Sequence, residues 1–323
     1  MKKNIVFVIV LITFFSACKN NNSPANDYTQ LSPNFCADSA YSYIDAQCAF
    51  GPRTIGSEAH NRCAEYLVNK FTQFGAKTSV QEGTATMYDG TNIKIQNIIA
   101  VFNDTCPGRI LISSHWDSRP WADNDSNEQL HHTPIDGAND GASGVGVMLE
   151  LARMIQANNP NIGVEFICWD AEDCGTPQWE RQIGTDDSKT WCLGSQYWAT
   201  NHSVDGFRYL YGILLDMVGG RGSVFYKENL SIHYAPGVVD KVWSLATLLG
   251  YGQYFLNQEG GAVTDDHLQV NQSGIPCIDV ISSSRDGSTF INTWHTVNDN
   301  VQNIDRDVLK AVGQTMAEVI YNP

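Results

Sequence analysis

Basic residues are scarce in this chain: 20 Lys and Arg stand against 35 Asp and Glu among 323 residues, a formal net charge of −15. Such a surface repels phosphate backbones and offers no basic patch, which excludes nucleic acid as a partner. Nine cysteines are present, yet no two are spaced as Cys-x-x-Cys. A cysteine-built zinc site is therefore excluded, and any metal must rest on histidine and carboxylates. No apolar run reaches the roughly 20 residues that a membrane-spanning helix needs. No internal repeat and no low-complexity tract follows the first 35 residues. With 42% hydrophobic and 17% charged residues the chain can bury a sizeable core, so it is neither a linker protein nor a fibre.

The first residues carry an address. Lys2 and Lys3 precede an apolar run from Ile5 to Phe15, the length of a signal-peptide core. The run meets Ser16, Ala17 and Cys18, small residues followed at once by a cysteine. This junction resembles the bacterial lipobox. The resemblance implies that residues 1–17 are a lipoprotein signal peptide, that Cys18 carries the lipid, and that the mature protein is membrane-anchored on the periplasmic, extracytoplasmic side. An ordinary signal peptide cut nearby is the alternative. Four Asn and a Pro between Lys19 and Asp27 make 18–35 read as a flexible tether, leaving 36–323 as the catalytic domain. An oxidising compartment permits disulfides among the remaining eight cysteines, whose pairing the sequence does not give.

Beyond the tether, apolar runs alternate with helical patterns. Strands are expected at 97–102, 109–116, 163–170, 209–217 and 276–282, several of them nearly all apolar, as strands buried on both faces are. Spacing near 3.6 predicts helices over 37–50, 57–74, 142–156, 238–249 and 305–321, with Ser57 and Asp305 where N-caps belong. The alternation predicts an α/β fold, a single three-layer domain with a mixed, mostly parallel central sheet flanked by helices. In such sheets chemistry gathers at the carboxyl ends of the strands.

Polar clusters follow four of the expected strands. One run leads into His115-Trp116-Asp117-Ser118-Arg119 and another into Asp170-Ala171-Glu172-Asp173; a third ends at Asp216, and a fourth carries Asp279. Asn139-Asp140 opens a helix, Asp265-Asp266-His267 precedes the last strand, and Trp294-His295 follows it. Acids and imidazoles converging by topology suggest a hydrolytic metal site. Catalytic zinc takes three protein ligands and leaves a fourth position open, a role that Asp140, Asp173 and His295 fit. The small residues Gly141 to Gly144 let backbone and ligand approach closely. Each residue alone also reads blandly: Asp140 as an N-cap, Glu172-Asp173 as a solvated turn, His295 as a structural histidine.

Six segments in order are more specific than any one of them: HWDSRP at 115–120, GANDGASGVGVMLELAR at 137–153, FICWDAED at 166–173, LLDMVGG at 214–220, TDDH at 264–267 and WHTVNDN at 294–300. Together with GPRTIGSEAH at 51–60, they resemble the zinc-dependent glutaminyl cyclases, which share their fold with the co-catalytic zinc aminopeptidases. The resemblance implies a roughly six-stranded mixed sheet and one zinc per chain at Asp140, Asp173 and His295. It implies a reaction that turns the N-terminal glutamine of peptides or proteins into pyroglutamate and releases ammonia. Glu172 then matches the general acid/base, Asp216 a second catalytic carboxylate and Asp265 its hydrogen-bonding partner. Trp179 and Trp294 match tryptophans that line the substrate pocket. Asp279, grouped with the substrate-binding residues, stands where animal enzymes carry His, and Asp173 where they carry Glu.

The chemistry is consistent with that pattern. Ring closure is intramolecular, so an enzyme chiefly holds the two ends together and moves a proton, and crowded carboxylates keep at least one proton among them. Two other classes are compatible with parts of the sequence. A two-zinc aminopeptidase would bridge its metals with Asp140 and recruit His115 and Asp216, and a non-enzymatic binding lipoprotein would keep the fold and lose the site. Cys174 and Cys192 bracket an insertion and read either as a staple or as free thiols.

Overall fold

The protein is described by a computed structural model over residues 28–323, apart from 183, 185, 205 and 288. The signal peptide, Cys18 and most of the expected tether lie outside the described residues.

Four of the expected strands form the middle of the sheet as β3 (Gly108–His115), β4 (Gly163–Trp169), β5 (Arg208–Asp216) and β8 (Cys277–Ser283). They run parallel in the order β4-β3-β5-β8, so their carboxyl ends share one edge. Each strand serves two cores by alternation. Ile110, Ile112, Val164, Phe166, Ile213, Leu215, Ile278 and Val280 pack on one face, while Leu111, Ile167, Leu214 and Cys277 pack on the other.

The larger face is covered by α1 (Ala37–Cys48), α2 (Glu58–Gln73), α3 (Ala142–Ala157), α6 (Pro236–Leu248) and α8 (Arg306–Tyr321). The smaller is covered by α4 (Leu193–Asn201) and α7 (Asp266–Gln272), through Trp198 and Val270. Ser57 caps α2 by accepting from the His60 amide at 3.0 Å, and Asp305 caps α8 through the Asp307 amide at 2.8 Å, as the sequence predicts.

The sheet has eight strands, two more than the roughly six expected, in the order β1-β2-β4-β3-β5-β8-β6-β7. Antiparallel β1 (Lys77–Thr86) and β2 (Asn92–Phe102) extend one side, and short β6 (Val224–Lys227) and β7 (Phe255–Glu259) the other. A further helix, α5 (Asn229–Tyr234), follows β6.

The expected tether ends earlier than position 35, because residues 28–35 dock on α8. Tyr28 donates to buried Glu318 at 2.6 Å, the amides of Leu31 and Ser32 donate to the same carboxylate, and the Phe35 amide bonds Gln314. The ring of Phe35 lies directly over Gly313, where a Cβ would collide with it. Among the described residues no helix is long and apolar enough to cross a membrane.

Candidate active site

The carboxyl ends of β3, β4 and β5 deliver His115, the Asp170–Asp173 turn and Asp216 to one place. The turns that do so are tight: Ala171, Met217 and His295 all hold left-handed backbone, with φ of 55°, 51° and 54°. Non-glycine residues in that region cost energy and persist only where surroundings enforce them, which is characteristic of functional loops. Gly141 packs so closely on β3 that a Cβ there would land on the His115 carbonyl and ring. That close approach is why small residues open α3, and Gly141, not Asp140, occupies the N-cap position.

Asp140, Asp173 and His295 are buried and converge, with ligating atoms within 4.8 Å of one another. His295 Nε2 lies 3.1 Å from Asp173 Oδ1 and 3.6 Å from Asp140 Oδ2. Asp140 Oδ2 and Asp173 Oδ2 accept no hydrogen bond although both are buried. Orphaned buried oxygens are costly, and two carboxylates that carry them beside one imidazole make a donor set suited to a divalent cation. Burial opposes charge on His295, yet Asp173 and Asp123 raise its pKa to about 9, a measure of how strongly this cluster favours a cation.

Further residues fix these three. One carboxylate, Asp117, accepts from the consecutive amides of Glu172 and Asp173, each at 3.1 Å, one per oxygen. Asp299 does the same for Asn139 and Asp140, at 2.8 and 3.0 Å. Arg119 grips Asp123 with two bonds of 3.1 and 2.5 Å and also donates to the Asp173 carbonyl at 3.0 Å. Asp123 in turn lies 3.3 Å from His295 Nδ1, which leaves Nε2 facing the two acids. His115 Nε2 reaches Asp140 at 2.9 Å and Asp216 at 3.3 Å.

Beside the triad stands a group of protonatable acids. Burial, with repulsion from Asp140 and Asp265, lifts Asp216 to about 7 against the pull of His115. Burial and the charges of Asp265 and Asp173 push half-buried Glu172 well above the usual carboxylate range. Asp265 caps α7 through the Asp266 amide and is raised by burial as well. Perturbed acids gathered in one cleft are what general acid/base chemistry requires.

A cavity of about 440 Å³ opens over these groups, lined by Asp140, Glu172, Asp173, Asp216, Asp265 and His295, with Trp191, Ile281, Phe290 and Trp294 as apolar walls. Trp294 stacks on His295 at 3.9 Å between ring centroids. Trp179 lies outside this lining: it is 40% exposed and packs on Trp121, His131 and His132. The wall expected of it is formed by Trp191, whose ring lies parallel to that of His295. Asp279 also lies outside the lining. It is buried within β8, 3.9 Å from His267 Nδ1, and burial and neighbouring acids raise it strongly. Asp117, Asp123 and Asp299 are likewise absent from the expected set; the motifs contain all but Asp123, but nothing in residue spacing marks a backbone-holding carboxylate. Cys174 and Cys192 are free thiols.

A parallel α/β sheet with a buried acid–histidine triad at its carboxyl edge defines a metal-dependent enzyme of the zinc-peptidase type. More particularly, the model of peptidase family M28 matches residues 97–320, and the chain belongs to that family. The glutaminyl cyclase of Bacteroides thetaiotaomicron, solved with N-acetylhistamine bound, is 49% identical with a TM-score of 0.87, covering 90% of this chain and 99% of that one. The glutaminyl-peptide cyclotransferase of Gloydius blomhoffii is 28% identical over 284 residues, 80% of this chain and 73% of that protein. Aminopeptidase YwaD of Bacillus subtilis is 26% identical over 254 residues, 76% of this chain, which spans only 48% of that protein's length. The resemblance to glutaminyl cyclases read from the six motifs is borne out in fold and family.

Proposed function

We propose that the protein cyclises the N-terminal glutamine of peptides or proteins to pyroglutamate, releasing ammonia, with one zinc ion held by Asp140, Asp173 and His295. The observation that carries this reading is the division between two adjacent acids. Asp173 turns toward His295 and Asp140, while Glu172 turns toward Asp265 and the open cavity. When bound, zinc supplies Lewis acidity to the substrate's side-chain amide oxygen. The aromatic walls Trp191, Phe290 and Trp294 hold the glutaminyl residue so that its α-amine meets its own side-chain carbonyl carbon. Glu172 accepts the proton that the amine loses as the C–N bond forms, and returns it to the nitrogen that leaves as ammonia. Asp216, paired with His115 and close in charge to Asp265, holds a proton where the leaving nitrogen departs.

A second donor group, His115, Asp140 and Asp216, favours a two-zinc aminopeptidase as the other reading. Against it stands the 49% identity with the Bacteroides thetaiotaomicron glutaminyl cyclase over 90% of this chain. Incubating the purified protein with glutaminyl and leucyl arylamides separates the two. Ammonia released from the glutaminyl compound supports cyclisation, and arylamine released from the leucyl compound overturns it. For location the proposal is a lipid on Cys18 and a periplasmic, membrane-held enzyme; Cys18→Ala is then expected in the soluble fraction, and unchanged membrane partition refutes the anchor.

A further inference from the structure

Glu172 has a neighbour that the reaction does not use. The Cys192 thiol lies 3.3 Å from Glu172 Oε1. It is held there from both sides, since the Cys192 amide donates to the Glu172 carbonyl at 3.1 Å and the residue takes a left-handed turn, φ 55°, at the start of α4. Asp265 completes a cluster whose ligating atoms all lie within 4.8 Å. Cys192 is 1% exposed and Asp265 3%, and Asp265 Oδ2 is buried without a hydrogen-bond partner.

We propose that Glu172, Cys192 and Asp265 form a second, inhibitory cation site, selective for thiophilic divalent ions such as cadmium or excess zinc. Three protein donors with a position open to the cavity match the coordination such ions accept, and a sulfur donor distinguishes this site from the oxygen–nitrogen triad of Asp140, Asp173 and His295. On binding, the thiol proton leaves to solvent and the ion takes a thiolate and two carboxylates. Because the ion occupies the Glu172 carboxylate, proton transfer stops while the resident metal stays in place.

Occupancy is measured on the zinc-loaded enzyme titrated with cadmium, by metal analysis after gel filtration and by the ultraviolet thiolate-to-cadmium absorption band. Wild type is expected to take up one cadmium beyond its zinc, with the band appearing in step with loss of turnover. Cys192→Ser is expected to lose the band. It should also need more cadmium for half-inhibition by at least the roughly 10–100-fold that loss of even an outer-sphere partner costs, each variant being scored against its own cadmium-free rate. Cys174→Ser, altering a buried thiol of the same loop, is expected to respond as wild type. No uptake beyond the resident zinc, or an unchanged band in Cys192→Ser, overturns the site. The inhibitory consequence rests on the cyclase reading, but uptake and absorption do not. Failure of that reading would instead appear as no ammonia release by the cadmium-free wild type.

Discussion

Asp117→Asn tests how the Glu172–Asp173 pair is held. The wild-type carboxylate spends one oxygen on each of two consecutive amides, both at 3.1 Å and fully buried. Asparagine has the same shape but one acceptor, so its NH₂ group must face a backbone N–H. One hydrogen bond to a charged group, about 1.5–3 kcal/mol, is lost, and a buried donor left unsatisfied costs about 1–3 kcal/mol more. Relaxation of the turn recovers part of this, so a loss of about 2–4 kcal/mol is expected in chemical denaturation. The two amides belong to the proposed proton carrier and to a proposed metal ligand, so on that reading the damage extends beyond stability. Zinc affinity, read by competition with a chelator, and ammonia release are each expected to fall by about 10–100-fold. A variant within about 0.5 kcal/mol of wild type that keeps both zinc and rate would refute the claim that Asp117 sets the pair.

Glu172→Gln removes the proposed proton carrier without removing a proposed ligand; folded, zinc-loaded protein with turnover reduced by about 10²–10⁴-fold is expected, and activity within a few-fold of wild type would end its assignment. His115→Ala tests the metal count: close to one zinc per chain before and after substitution is expected, whereas a fall from two to one in metal analysis would favour the aminopeptidase. Glu228 supplies a pH dependence. Burial raises its pKa, but the bonds from His267, Ser231 and the Leu230 amide outweigh burial and bring it to about 2. A depressed folded-state pKa stabilises above the unfolded value near 4.3 and is lost as pH falls toward 2. Glu228→Gln is therefore expected to cost roughly 3 kcal/mol at neutral pH, with the gap from wild type closing below about pH 4 in melts across acid pH; a gap independent of pH would contradict it.

The middle of the sheet was legible because strands buried on both faces carry apolar runs, as β3, β4, β5 and β8 do at 110–112, 166–169, 213–215 and 277–281, with Asp279 as the exception. Its flanks were legible only in part: the strand expected at 97–102 is the second half of β2, but β1, β6 and β7 were not expected. β1 pairs on one side only and stays largely exposed, so its Lys-Thr-Ser-Val-Gln-Glu run carries no apolar signal. β6, with four residues, is too short for a period. At the site, the convergence of Asp140, Asp173 and His295 followed from strand-end topology and the motif resemblance, whereas the choice between Trp179 and Trp191 did not. Both lie in an aperiodic loop after Asp173, and what separates them is a contact with His295, about a hundred positions away in sequence. Asp279 shows the opposite limit: its motif position is clear, but strand alternation turns it away from the cavity and toward His267.

The seating of residues 28–35 on α8 bears on how the molecule is oriented. The first turn of α8 is tied to the catalytic edge, where the Asp305 amide bonds Gly219, three residues past Asp216. Glu318, which receives Tyr28 and Ser32, lies thirteen residues beyond Asp305, about 20 Å along the helix at 1.5 Å per residue. The chain thus enters the domain at its rear, and whatever precedes Tyr28 pulls on the end remote from the cavity. A fusion partner or an immobilising tag placed ahead of residue 28 leaves the approach to Glu172 and His295 clear.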